Sequence, residues 1–259
     1  KSLPIIIGSV GAALLIATQL ARRLGVSRKI GTLIAVGTSI CGATAIVAMA
    51  PTIAARDNEV SYSIACITLF GITVMLVYPF LGHWIFEGHA LPIGLFLGTA
   101  VHETAQVAGA GLVYQQFYSD SEVLNIATVT KLVRNLGMLF VIPLMCILYR
   151  REHSDGGNLP AWHTMIPLFI VGFLAMSLLR TIGDLGEQPF GILDIHEWQW
   201  FVGHTQELAE LCLGVAMAAV GLGTRFADLV AVGLKPMAIG LFSALMVGGV
   251  SMTLITALY

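Results

Sequence analysis

Charged residues are scarce in this sequence, and that scarcity excludes most soluble proteins. Asp, Glu, Lys and Arg make up 11% of the 259 residues, whereas a typical soluble domain contains about 25%. Hydrophobic residues make up 57%, and the mean hydropathy is +0.86. No stretch of the chain has the composition of a separate soluble domain. We therefore predict an all-α, polytopic membrane protein in which residues 1–259 form one transmembrane domain.

Cysteine and clustered positive charge are also sparse. The four cysteines stand far apart inside apolar stretches, so they fit neither a disulfide framework nor a C-x-x-C zinc spacing. The net charge is −2, and the 13 Lys and Arg residues form no patch that suggests nucleic acid. We expect no metal, no cofactor and no nucleic-acid partner. Lys1 precedes an apolar run that lacks the charged start and cleavage site of a signal peptide, so none is predicted.

Apolar runs of about 20 residues, the length of a transmembrane helix, recur along the chain. They predict eight spans, at residues 3–20, 30–50, 60–81, 91–114, 126–149, 164–182, 202–224 and 236–259. Loops on the cytoplasmic side carry an excess of Lys and Arg. The loops assigned to that side hold eight such residues, and the others hold three. The eight are Arg22, Arg23, Arg28, Lys29, Arg150, Arg151, Arg225 and Lys235.

Titratable side chains interrupt the fourth span, within residues 97–111. His102, Glu103 and Gln106 lie three or four positions apart and therefore share one helix face. An ionisable group at membrane depth costs about 2.5 kcal/mol or more, so it usually faces a cavity or a partner. Because a histidine beside a carboxylate titrates near physiological pH, we predict proton coupling by His102 and Glu103 and substrate contact by Gln106. The alternative is a buried His–Glu pair satisfied by neighbouring helices.

Small and hydroxylated residues interrupt the second span at residues 37–42, ahead of Pro51. A helix that unwinds there exposes backbone groups and hydroxyls, as in many transporters. The residues predicted to contact substrate are Thr38, Ser39, Cys41 and Gly42. Close packing of helices through small residues is the alternative. Residues 37–48 and 98–109 also align without gaps, which predicts an internal repeat whose two broken helices meet in space.

Lys131 and Arg134 lie three positions apart in the fifth span, without an acid on the same helix. Two neighbouring cations favour an anion, and the guanidinium group suits sulfate or a sulfonate. Glu103 is a second candidate for that anion. We predict that Lys131 and Arg134 bind substrate. The alternative is that both side chains extend to the membrane surface.

The sequence matches part of the pattern of one enzyme class, the intramembrane metalloproteases, because His102 and Glu103 begin an H-E-x-x-H pattern. The second zinc ligand would have to be histidine at position 106, where this chain has Gln106. No C-x-x-C pair or second histidine cluster replaces it. We therefore expect no enzymatic activity.

Four motifs in this order resemble the YeiH-type membrane proteins, a family associated with sulfate export. They are S-I-C-G-A-T-A at residues 39–45, the stretch 97–111, K-L-V-R at 131–134 and A-M-A-A-V-G-L-G-T at 216–224. The resemblance covers essentially the whole chain. It implies a bacterial inner-membrane carrier with inverted repeats, similar in fold to bile acid sodium symporters. Family members carry further N-terminal spans before the segment that resembles residues 3–20, so we expect those spans to be absent from this sequence.

Three functions follow from these observations. The first is a secondary transporter that exports a small anion, sulfate-like or sulfonate-like, with coupling to protons. The second is a cation-coupled carrier or channel in which Glu103 and Glu210 bind the ion. The third is a structural membrane subunit that transports nothing. The expected partners are the small anion and the lipid bilayer, and a homo-oligomer is compatible with the sequence.

Overall fold

The computed structural model describes residues 2–151, 168–184, 189–191, 194–223 and 234–259. Within these ranges the regular structure is helical and contains no strand, which confirms the predicted fold class. The chain divides into two compact units, Lys1–Met165 with Thr224–Tyr259, and Ile166–Gly223. Every residue of the predicted site belongs to the first unit.

Eleven α-helices are described, and we number them in chain order. They are α1 Ser2–Arg23, α2 Arg28–Ser39, α3 Ala43–Met49, α4 Asp57–Ile85, α5 Ala90–Ala100, α6 Thr104–Tyr118, α7 Glu122–Leu136, α8 Met138–Arg151, α9 Leu168–Gly183, α10 Ile195–Gly223 and α11 Leu234–Leu258. Helices α9 and α10 form the second unit, and the other helices form the first.

Among the described residues, four segments are long and apolar enough to cross a membrane. They are Ser2–Arg23, Asp57–Ile85, Glu122–Met145 and Lys235–Leu258. They match the first, third, fifth and eighth predicted spans, and the multi-pass prediction is confirmed. The total of eight spans stays a prediction. Residues 164–167, Thr224 and Arg225, which belong to the predicted sixth and seventh spans and the loop that follows, lie outside the described residues.

The second and fourth predicted spans each consist of two half-helices. Residues 40–42 separate α2 from α3, and residues 101–103 separate α5 from α6. The first break depends on Gly42, whose φ of +61° lies in the left-handed region that favours glycine. In the second break, Val101 and Glu103 are extended, with ψ of 141° and 148°. The interruption predicted from the small residues of the second span is confirmed.

Helix α7 lies close against α5 because a glycine occupies the point of contact. A Cβ atom at Gly98 would lie 2.6 Å from the carbonyl oxygen of Ala127. Small residues at such points let membrane helices approach and pack, since no hydrophobic force between helices operates in lipid. The close packing brings Lys131, one turn after Ala127, to the end of α5. Arg134 follows on the same face of α7.

Candidate functional site

The two helix breaks lie against each other in the first unit. The backbone N–H of Ala43, at the start of α3, donates to Glu103 Oε1 in the other break at 3.0 Å. A Cβ atom at Gly42 would lie 2.3 Å from Glu103 Cγ, so only glycine allows this approach. We call the two breaks, together with Lys131 and Arg134 of α7, the crossing. The predicted meeting of the two segments is therefore confirmed.

Lys131 joins the two breaks through its ammonium group. Its side chain is fully buried, with an exposed fraction of 0%. Nζ donates to the carbonyl oxygens of Ile40 at 2.8 Å and of Val101 at 2.9 Å, and it also donates to the carbonyl of His102. An ammonium group has three N–H donors, so these three acceptors use all of them.

Arg134 holds the last turns of α2 and α5 in the same way. Nε donates to the carbonyl of Ser39 at 2.9 Å, and Nη2 donates to that of Thr38 at 2.5 Å. Nη1 donates to the carbonyls of Thr99 at 2.6 Å and Val101 at 3.2 Å. The last carbonyls of a helix lack partners within it and carry the negative end of its dipole. At the ends of α2 and α5, the guanidinium group donates hydrogen bonds to these carbonyls and places a positive charge beside the negative end of each helix dipole.

These contacts decide between the sequence-based interpretations of the two cations. The alternative in which both side chains reach the membrane surface is wrong, because Lys131 and Arg134 are completely buried. Among the described residues neither forms a salt bridge with a carboxylate, although Glu103 lies in the same crossing. Backbone carbonyls, which the sequence analysis did not consider, accept their hydrogen bonds. Substrate binding by these two residues stays a prediction.

Glu103 contacts the opposite ends of the half-helices, the N-termini of α3 and α6. Its carboxylate accepts the N–H of Ala43 at the start of α3 and the N–H of Gln106 in the first turn of α6. Helix N-termini carry positive partial charge, so a carboxylate there is stabilising. Gln106 Oε1 accepts the N–H of Glu103, and its Nε2 donates to the carbonyl of Thr68 on α4, both at 3.4 Å. Gln106 thus ties the crossing to α4, and its predicted contact with substrate stays a prediction.

The crossing carries an excess of positive charge. It holds two buried cations and one carboxylate, and the half-helix dipoles contribute two negative and two positive ends that offset one another. With Lys131 and Arg134 counted as protonated, Glu103 as ionised and His102 as neutral, one positive charge is left over. The crossing is also closed, since the most exposed of its polar side chains, Glu103, has an exposed fraction of 8%.

Three buried polar atoms at the crossing have no hydrogen-bond partner among the described residues: Thr38 Oγ1, His102 Nδ1 and Asn135 Oδ1. Leaving such an atom unpaired costs about 1–3 kcal/mol, so each needs an explanation. Two small residues close to Thr38 differ, because Ser39 Oγ donates to the carbonyl of Val36 and Cys41 Sγ lies 4.0 Å from Met138 Sδ. The Thr38 hydroxyl is therefore unpaired among the described residues, whereas the Ser39 hydroxyl is not, and the predicted contact of both with substrate stays a prediction.

Asn135 is a site residue that the sequence analysis missed. Its Nδ2 donates to Thr104 Oγ1 at 3.1 Å, at the start of α6, and only 4% of the residue is exposed. A signal for it exists in the sequence, since Lys131, Arg134 and Asn135 are spaced i, i+3 and i+4 and therefore share one face of α7.

Comparison with known proteins places these residues in a family context. The family described as conserved hypothetical protein 698 matches residues 1–240. The UPF0324 membrane protein of Fusobacterium nucleatum is 33% identical over 246 residues, which cover 93% of this chain and 70% of the relative. The relative from Bordetella bronchiseptica is 31% identical over 257 residues, covering 95% and 73%. The relative from Streptococcus agalactiae is 34% identical over 244 residues, covering 93% and 68%. No solved structure matches the chain.

Proposed function

Because the chain belongs to the YeiH-type UPF0324 family of membrane proteins, we propose that it is a secondary transporter exporting a small anion, such as sulfate or a sulfonate, across the bacterial inner membrane. The observation that carries the proposal is the excess positive charge at the closed crossing of two broken helices. A buried charge without a counter-charge is costly in a membrane interior. An anion that enters the crossing removes this cost.

The unpaired atoms of the crossing supply contacts for such an anion. Thr38 Oγ1 and His102 Nδ1 can each donate a hydrogen bond, and neither has another partner among the described residues. Hydrogen bonds to a charged acceptor are about twice as strong as those between neutral groups. Lys131 and Arg134 contribute positive potential while keeping their carbonyl contacts. The anion would thus be held by uncharged donors within the field of fixed cations.

Export requires the closed crossing to open to each side in turn. In transporters with broken helices, one bundle rocks against the other around a fixed site. Here the cations and Glu103 connect four half-helix ends, so the crossing can move as one piece while the surrounding helices shift. The two breaks also match the internal repeat predicted from residues 37–48 and 98–109, and an inverted repeat is part of this proposal.

Transport assays with purified protein test the anion. Proteoliposomes loaded with radiolabelled sulfate should release it through the wild-type protein, and Thr38→Val should slow the release by about tenfold to a hundredfold, since one hydrogen bond to an anion contributes about 1.5–3 kcal/mol. Thr73→Val is the matched control, because Thr73 is exposed on α4 and its hydroxyl donates within the helix. Equal sulfate release by wild type and Thr38→Val would contradict the proposal. Sodium-dependent uptake without any anion would instead support the cation-coupled carrier.

Proton coupling is assigned to His102, the titratable side chain at the crossing that lacks a partner among the described residues. In the His102→Gln variant, sulfate release should persist but lose its response to a pH gradient, because glutamine cannot carry the proton. The chain should still fold, since no described contact depends on His102 Nδ1. A pH response equal to that of the wild type would remove His102 from the mechanism and leave Glu103 as the candidate.

A further inference from the structure

A second site is indicated by an apolar groove in the first unit, whose lining residues include none of those in the two breaks. Helices α1, α2 and α8 enclose a cavity of about 690 Å³. This volume lies within the range of about 300–1,000 Å³ found for ligand pockets. Its apolar part is lined mainly by Gly11, Leu14, Leu15, Leu144, Met145 and Leu148. Leu15, Leu144 and Leu148 are about half exposed or more, at 64%, 50% and 47%, so the groove opens to the surface of the unit.

One end of this groove is positively charged. Arg22, at the end of α1, and Arg28, at the start of α2, line the same cavity, and Arg23 and Lys29 are their chain neighbours. The groove thus combines an apolar channel with a basic end, which matches the acyl chain and phosphate group of an anionic phospholipid.

We propose that this groove binds an anionic phospholipid, with an acyl chain between α1 and α8 and the phosphate at Arg22 and Arg28. The positive-inside rule predicts that these arginines face the cytoplasm, and anionic lipids are concentrated in the cytoplasmic leaflet. Because Leu148 near the end of α8 lines the same cavity, the C-terminal ends of α1 and α8 lie together. This shared position supports the prediction that the basic loops after α1 and after α8 both lie on the cytoplasmic side.

The lipid's charge is tested first, with the wild-type protein alone. Delipidated protein is titrated with phosphatidylglycerol or with phosphatidylcholine carrying identical acyl chains, and bound lipid is counted by native mass spectrometry. Two arginines near a phosphate should favour phosphatidylglycerol by about tenfold or more. The double variant Arg22→Gln, Arg28→Gln should bind both lipids equally. Equal binding of the two lipids by the wild type would overturn the proposal.

The groove itself is tested by filling it. A Cβ atom at Gly11 meets nothing within 4 Å, so Gly11→Phe projects a ring into the cavity without a clash. Gly249→Phe is the matched control, because Gly249 on α11 is equally open and lies outside the groove. Gly11→Phe should abolish lipid binding, and Gly249→Phe should retain it. Retention in both variants would overturn the proposal. A lipid-free dimer that Gly11→Phe dissociates would assign the groove to a second copy of the chain and would overturn it too.

Discussion

Two arginines in different units show how this protein accommodates the same charge in two environments. Arg134 is completely buried at the crossing and donates to four backbone carbonyls. Arg180, at the end of α9, has 53% of its side chain exposed and pairs with Asp184, with Nε 2.7 Å from Oδ2. A buried charge must have its full set of acceptors, whereas an exposed pair is screened by water and contributes about 0–1 kcal/mol. The crossing should therefore be far more sensitive to substitution.

The largest effect is expected for Arg134→Lys. Lysine keeps the charge but lacks the planar, forked set of N–H donors of the guanidinium group. Carbonyls at the ends of α2 and α5 therefore lose their partners. We expect a loss of about 3–5 kcal/mol in the free energy of unfolding, as for other broken buried charge contacts. Arg180→Lys should change it by less than about 1 kcal/mol. Unfolding in mixed micelles, followed by circular dichroism, measures both. Equal losses in the two variants would contradict the comparison.

Next in size is Glu103→Gln, which removes the negative charge from the N-termini of α3 and α6. The amide oxygen still accepts N–H groups, so the loss should be about 1–2 kcal/mol. The same change increases the excess positive charge, so sulfate should bind more tightly. Denaturation and sulfate titration of one preparation measure both effects. Weaker sulfate binding at unchanged stability would show that the negative charge of Glu103 does not limit the affinity of the crossing for sulfate.

Gly98→Ala should be damaging to a similar degree. The added methyl group would lie 2.6 Å from the carbonyl oxygen of Ala127, which pushes α7 away from α5. Overpacking of this kind costs about 1–3 kcal/mol. Gly249→Ala is the control, since a Cβ atom there meets nothing within 4 Å. Thermal unfolding of the two variants should therefore differ, and equal melting temperatures would show that the helices adjust without strain.

The smallest effect is expected at Asp184. Hydrogen bonds from Trp198 Nε1 and Arg180 Nε lower the pKa of its carboxyl group. A lowered pKa in the folded state stabilises the protein above the unfolded pKa of about 3.9. That contribution is lost as the pH falls through the folded value. The wild type should therefore lose slightly more stability than Asp184→Asn on acidification to below about pH 4. Tryptophan fluorescence during melting reports this, and identical pH profiles would contradict it.

The sequence predicted the location of the crossing but not its internal contacts. Small residues at 37–42 located the first break, and the alignment of residues 37–48 with 98–109 located the second. The prediction that His102, Glu103 and Gln106 share one helix face was wrong, because residues 101–103 lie between α5 and α6 and only Gln106 is helical. The direction of the carbonyls in the breaks depends on the packing of α7, which no local pattern specifies. The hydrogen bonds from Lys131 and Arg134 to backbone oxygens were therefore not predicted, and the binding of an anion by these residues stays a prediction.

The bounds of helix α4 also differ from the prediction. The third span was predicted at residues 60–81, but α4 extends from Asp57 to Ile85. Its polar start is helical because Glu59 Oε2, in the first turn, accepts the backbone N–H of the N-cap residue Arg56 at 2.9 Å. Hydropathy locates the part of a helix inside the membrane, and capping residues extend it further.

Sulfate binding to the crossing is the most direct test of the central claim. The melting temperature of the purified protein is measured in sulfate and in gluconate at equal ionic strength and pH, for wild type and Thr38→Val. A ligand at 100 times its dissociation constant stabilises the folded state by about 2.7 kcal/mol, so sulfate should raise the melting temperature of the wild type. The rise should be much smaller for Thr38→Val. A melting temperature that is the same in both salts for the wild type would contradict an anion site at the crossing.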